Sequence, residues 1–226
     1  MSTVFICCKM IEKEFKKAYA DIGSKNTVYW LDAGLHSNPV HLHTSLQNTL
    51  DSLPEDVDRV IMAYGLCGKA AIGLKTRNFD MIMPKTDDCI ALLLGSNDEK
   101  KNNKSTIFVT DTWISGERSM LNEYNYLLNR YGQQKGDRIF KRQFMHYTTL
   151  GVLDTGCYNI DDVIAETKEF SDMLSLSTKV IPTTYNYLES LINFKYEPDD
   201  FDDSKYLYVE KNSEVSEGDF FNFYTN

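Results

Sequence analysis

Apolar and polar positions alternate along the chain in blocks, and the blocks switch between two periods. TVFICC, from residue 3, is a continuous apolar run of strand length. KMIEKEFKKAYADIG follows it with apolar residues at three- and four-residue spacing, which predicts an amphipathic helix ending near Gly23. TVYWLDAG predicts a second strand, and HSNPVHLHTSLQNTLDSL a second helix with Ser37 or Asn38 as its cap and Pro39 in its first turn. DRVIMAYG reads as a third strand, KAAIGLKT as a short helix of small residues, and FDMIMP as a fourth strand. TDDCIALLLGS predicts a helix capped by Thr86 or Asp87, and NDEKKNNKS a solvated loop. The alternation continues through the strand TIFVTD, a helix around SMLNEYNYLLNRYG, the strand HYTTLGVLDTG, the helix IDDVIAETKEFSDMLSL, the strand TKVIPTT and the helix YNYLESLINF. Strongly apolar strands separated by helices predict an α/β fold, with a largely parallel sheet or sheets flanked by helices. In the acidic, aromatic tail KYLYVE predicts a last edge strand, and the final dozen residues an arm that packs on a partner or stays mobile.

Three stretches of the first half echo the second in order: TVFICCKMI and TIFVTDTWI, WLDAGLHSN and VLDTGCYNI, RVIMAYGLCGKAAIGL and KVIPTTYNYLESLINF. Such ordered self-similarity suggests two similar Rossmann-like lobes from an internal duplication, residues 1–100 and 101–226, with strand ends lining a shared cleft. In that alignment Asp32 matches Asp154, and Tyr158 takes the place of His36.

Composition narrows the class. A net charge of −9 over 226 residues argues against nonspecific binding to nucleic acid or an anionic membrane. No apolar run is long enough to span a membrane and the first residues lack a basic leader pattern, so the expected location is the cytoplasm. In a reducing compartment Cys7, Cys8, Cys67, Cys89 and Cys157 are expected to be thiols or ligands rather than disulfides.

Ligands bind beyond the carboxyl ends of parallel strands. Four successive predicted strands deliver Cys8, His36, Cys67 and Cys89 to that edge. These four form the candidate metal set, suited to zinc or, with sulfur dominant, to an iron–sulfur cluster. Gly65 and Gly68 would let the backbone turn sharply and approach a bound cofactor or substrate closely, and helix N-termini at Cys67 and Cys89 would favour thiolates. If no metal binds, Cys67 or Cys89 is the candidate nucleophile with His36 as its base. Tyr64, Asp88, Trp113 and Tyr158 are candidate walls of the small-molecule site, Asp88 and Asp87 having helix capping as their ordinary role. Asp32 and Asp154 would brace the turns after them. Cys7 is expected in the core and Cys157 in a structural place, His41 and His43 in solvent, and His146 packed at a strand start. GLCGKAAIG lacks the ending of a P-loop.

The blocks CKMIEKEF, LDAGLHSNP, YGLCG, PKTDDCIALLLGS and LDTGCYN, over roughly residues 5 to 195, resemble a prokaryotic family catalogued as a domain of unknown function. Its members are often encoded near corrinoid-dependent methyltransferases in anaerobes. Cys8, His36, Cys67 and Cys89 match family blocks, whereas Lys69 stands where members commonly have Asn. The resemblance implies a role in anaerobic one-carbon or methyl-transfer metabolism. The family brings no settled activity, so the metal-binding reading and the metal-free thiol enzyme stand on the residues above, beside a noncatalytic accessory protein that binds a corrinoid protein or methyltransferase.

Overall fold

The structure is a computed structural model that describes residues 2–116, 119–195 and 201–221. It divides into two compact units: Met1–Asn97 together with Tyr185–Asn226, and Asp98–Thr184.

In the first unit β1 (Thr3–Cys8) is buried from Val4 onward, as a run with no polar face must be, and it lies inside the sheet. A 3₁₀ turn at Lys9–Ile11 leads into α1 (Glu12–Ile22), which buries Phe15 and Ala18 and ends on Gly23 in the left-handed conformation. The chain then forms β2 (Thr27–Leu31) on one side of β1. A second 3₁₀ turn, Ala33–Ser37, precedes α2 (Pro39–Asp51), whose buried stripe is Leu42, Leu46 and Leu50. Asn38 is its cap, accepting from the backbone of Val40 and His41. β3 (Arg59–Ala63) pairs on the other side of β1, and β4 (Asp80–Pro84) pairs with β3. All four strands are parallel, in the order β2-β1-β3-β4. The winding direction reverses between β1 and β3, where open α/β sheets hold their ligands. α3 (Cys89–Leu94) follows β4, capped by Asp88 rather than by Thr86 or Asp87. α4 (Asn97–Asn102) occupies part of the stretch expected as loop.

The second unit carries β5 (Thr106–Val109), α5 (Asp111–Ser115), α6 (Met120–Tyr131), α7 (Gln133–Gln143), β6 (Thr149–Asp154), α8 (Ile160–Leu174) and β7 (Ser177–Pro182). Its three strands are parallel in the order β5-β6-β7. Its core joins Ile107, Val109, Leu150 and Val152 of the sheet to Leu127, Phe140, Val163 and Phe170 of the helices.

These two orders overturn the duplication. In the echo β1, β2 and β3 correspond to β5, β6 and β7, yet β1 is central in one sheet and β6 in the other. The sequence likeness comes from local turn chemistry instead. Asp32 accepts a hydrogen bond from Gly34 N–H and Asp154 accepts one from Gly156 N–H, so two strands end in the same Asp-x-Gly turn. Both aspartates brace their turns as expected.

After β7 the chain returns to the first unit, which corrects the assignment of residues 101–226 to a single lobe. α9 (Asn186–Ile192) packs on α1 and α3, and β8 (Tyr206–Val209) pairs antiparallel with β4, setting Val209 opposite Met81 and Tyr206 opposite Pro84. The expected edge strand thus belongs to the first sheet. The tail up to α10 (Gly218–Phe221) is not a free arm: Val215 before that helix and Phe220 within it are buried. The last residues of that expected arm, 222–226, lie outside the described residues. Among the described residues no helix is long and apolar enough to cross a membrane.

Candidate metal centre

The strand order β2-β1-β3-β4 sets the segments carrying His36, Cys8, Cys67 and Cys89 side by side at the carboxyl edge. Their side chains meet there. Cys8 Sγ lies 2.8 Å from His36 Nε2. The ligand atoms of Cys8, His36 and Cys89 all fall within 4.8 Å of one another. Cys67 stands outside that threesome but hydrogen-bonds with Cys89 and His36. Tyr64 lies nearly parallel to the His36 ring, with centroids 6.1 Å and planes 18° apart, and its hydroxyl faces Cys8. Cys8 and Tyr64 are 0% exposed, Cys89 5% and Cys67 9%.

Each donor is held by a different local device. Cys8 ends β1, and its sulfur accepts from Met10 N–H as the cap of the 3₁₀ turn. His36 rides on the turn braced by Asp32. Cys89 opens α3, directly after its cap Asp88, whose carboxylate accepts from Ala91 N–H. Cys67 belongs to a loop clamped to the segment after β4: Leu66 N–H donates to Thr86 O at 2.7 Å and Cys67 N–H to Asp87 O at 2.8 Å. Gly65 is required by this clamp, because a Cβ there would stand 2.6 Å from Thr86 O and 2.7 Å from Asp88 N.

Residues 30–192 match the family described as "Protein of unknown function (DUF1638)". The chain belongs to the DUF1638 family. No curated protein and no solved structure gives a significant match. His36, Cys67 and Cys89 of this DUF1638 chain fall within the matched residues, and Cys8 lies before them.

Electrostatics within the DUF1638 cluster are uneven. Burial pushes the Cys8 thiol up, but hydrogen bonds with Cys89 and His36 and the charge on His36 outweigh it and bring Cys8 down to about 5. Burial likewise opposes a charged His36, yet hydrogen bonds to Cys67 and Cys8 and their negative charge raise it to about 10. Cys67 is lowered to about 7, chiefly by its hydrogen bond with Cys89. Cys89 is raised, because it serves Cys67 and Cys8 as a thiol donor. Tyr64 is raised by burial and by the thiolates of Cys8 and Cys89. The cluster can therefore carry a thiolate–imidazolium pair by itself and has three sulfurs and one nitrogen to offer a soft metal ion.

Several expectations change. KAAIGLKT is not a helix: Cys67, Gly68 and Lys69 all have positive φ (47°, 68° and 72°), and three left-handed residues in a row cannot start one. Cys67 is tuned by Cys89 and His36 and not by a helix N-terminus. Cys89 does open a helix, but its thiol is raised, so its neighbours outweigh the dipole. Cys8 is the most acidic sulfur, which no local pattern announced, since its partner is 28 residues away. Lys69 turns to Glu217, 2.5 Å from its carboxylate. His43 is not simply solvated: its Nδ1 lies 3.0 Å from Ala70 O and ties α2 to the Cys67 loop. His146 is exposed ahead of β6, not packed. Cys7 is in the core, as expected. Trp113, in α5, and Tyr158 both belong to the second unit. There Tyr158 packs on that unit's core and donates to Leu153 O, so the echo that paired it with His36 has no structural counterpart. The hydroxyls of Tyr64 and Thr86 are buried without a hydrogen-bonding nitrogen or oxygen, and the sequence offers Thr86 only as a helix cap because hydroxyls at helix starts are common.

Proposed function

We propose that the protein binds a single transition-metal ion, zinc in the first place, through Cys8, His36 and Cys89, with Cys67 beside them. The mutual spacing carries this reading. A tetrahedral ion with bonds of ~2.3 Å to sulfur sets its donors about 3.8 Å apart, and the three donor atoms already lie within 4.8 Å of one another. A cubane iron–sulfur cluster spreads its cysteine sulfurs more widely, so the spacing favours one ion. Burial supports a ligand role too, because reactive cysteines sit in partly exposed surroundings and Cys8 is 0% exposed. Zinc held by two thiolates and a neutral imidazole has no net charge. It would supply Lewis acidity at its fourth coordination position whenever Cys67, which stands beside that position, does not occupy it.

A placement in one-carbon or methyl-transfer metabolism, with a corrinoid protein or methyltransferase as partner, rests on the resemblance to a family encoded beside such enzymes. The Cys8–His36 contact favours a second reading, a metal-free thiol enzyme, with Cys8 in place of Cys67 or Cys89 as its thiolate. Anaerobic purification followed by elemental analysis and absorption spectroscopy separates these readings. The expected result is one zinc per chain and no visible absorption. Iron with acid-labile sulfide would replace the single ion by a cluster. Metal-free protein whose Cys8 is alkylated quickly would leave the thiol enzyme.

A further inference from the structure

We propose that Cys67 is a displaceable ligand, and that the coordination position it covers is the binding place of a small exogenous thiol. This rests on the metal reading above and names the class of molecule that the centre takes.

The sulfurs are not equivalent. Cys8 is fixed at the end of an interior strand and Cys89 at the start of α3, and both stand in the set of mutually close donors. Cys67 is outside that set, in a loop, at the first of three successive left-handed residues, and is the most exposed of the three. Cys67 is thus carried by a loop, whereas Cys8 and Cys89 are carried by a strand end and a helix start.

A second observation marks the same place as a ligand site. The Tyr64 hydroxyl is 0% exposed, has no hydrogen-bonding nitrogen or oxygen, and is directed at the sulfurs. Its one acceptor is the Cys8 sulfur, a weak one, so a ligand that offers the buried hydroxyl a further acceptor is favoured. The Thr86 hydroxyl, also unpartnered, lies on the segment that clamps Leu66 and Cys67.

The chemistry of the site selects the ligand. The donors are soft, which favours sulfur over oxygen. Lys69 of the same loop pairs with Glu217, so a large oxyanion gains no cation from it. Burial keeps the ligand small. The exchange balances: metal–S–Cys67 plus R–SH gives metal–S–R plus Cys67–SH, one proton passing from the incoming thiol to the departing one. A thiolate replaces a thiolate, the charge is unchanged, and the Tyr64 O–H gains a second sulfur acceptor beside Cys8.

The test uses the full chain loaded with cobalt(II), whose thiolate charge-transfer band reports bound sulfur. Cys67→Ala should keep one cobalt per chain with the band lowered by about one third, one thiolate of three. 2-Mercaptoethanol should then restore the band saturably. Cys67→Gly, which suits the positive φ, should behave alike and guards against misfolding of the first variant. Cys89→Ala should lose the cobalt. In the unaltered protein reduced selenocysteamine should bring up a selenolate band at lower energy. Tyr64→Phe combined with Cys67→Ala should raise the thiol concentration for half-restoration several-fold. Loss of cobalt from Cys67→Ala as complete as from Cys89→Ala would make Cys67 a fixed ligand and overturn the proposal. So would a band indifferent to added thiol, or no selenolate band in the unaltered protein. Failure of the unaltered chain to take up cobalt or zinc at all would remove the metal centre itself, an outcome distinct from each of these.

Discussion

Cys8 and His36 form a charged pair inside the protein when no metal is present, and its pH dependence follows from the two shifts. Cys8 titrates near 5 in the folded protein against an ordinary 9.0, so its stabilisation is full above 9.0 and is lost as pH falls through 5. His36 titrates near 10 against 6.5, so its stabilisation is full below 6.5 and is lost as pH rises through 10. Between 6.5 and 9.0 one contribution grows as the other shrinks. Metal-free protein should therefore show a urea midpoint that falls on the acid side toward 5 and on the alkaline side toward 10, while Cys67, lowered to about 7 against 9.0, adds a rise between 7 and 9.0. A midpoint that rises as pH is lowered from 6.5 toward 5 would contradict the pair. That the four donors gather was legible in the sequence, because strand ends are countable and parallel strands share an edge. Which sulfur carries the charge was not, since that depends on contacts across the sheet.

The elements that carry the donors depend on close approaches between loops. Gly65→Ala would press a Cβ to within 2.6 Å of the Thr86 carbonyl, where backbone and not a pliable side chain must move. We expect a loss of about 1–3 kcal/mol in urea unfolding, with weaker metal uptake because the displaced segment leads into Cys89. Asp88→Ala should cost about 1 kcal/mol by removing the cap of α3, and Asp88→Asn should retain most of it; thermal melts of the two would separate capping from charge. The long strands and helices were legible because their periodicity is strong. α5 is too short to show a period, and α7 bears mainly polar residues around Gly136, which fits against Leu127 and Leu128 with no room for a Cβ. The Cys67 loop was misread as a helix because small residues suit one, and its hydrogen bonds to the distant Thr86–Asp87 segment are invisible to local pattern.

At the scale of the molecule, the sheet that bears the centre is finished by β8, whose Leu207 and Val209 are buried opposite Met83 and Met81. Leu207→Ala should cost ~2–3 kcal/mol in equilibrium unfolding of the first unit; an unchanged midpoint would show that this edge pairing is dispensable. The second unit therefore sits in the chain as an insertion between two parts of the first. This arrangement has a consequence during synthesis. Between the emergence of Pro84 and that of Tyr206, the apolar edge of β4 has no β8 to pair with. At translation rates of about 5–20 residues per second the wait is on the order of ten seconds. For that interval the nascent chain presents an open apolar strand edge, which is a template for pairing with other chains until the last strand arrives to close the sheet.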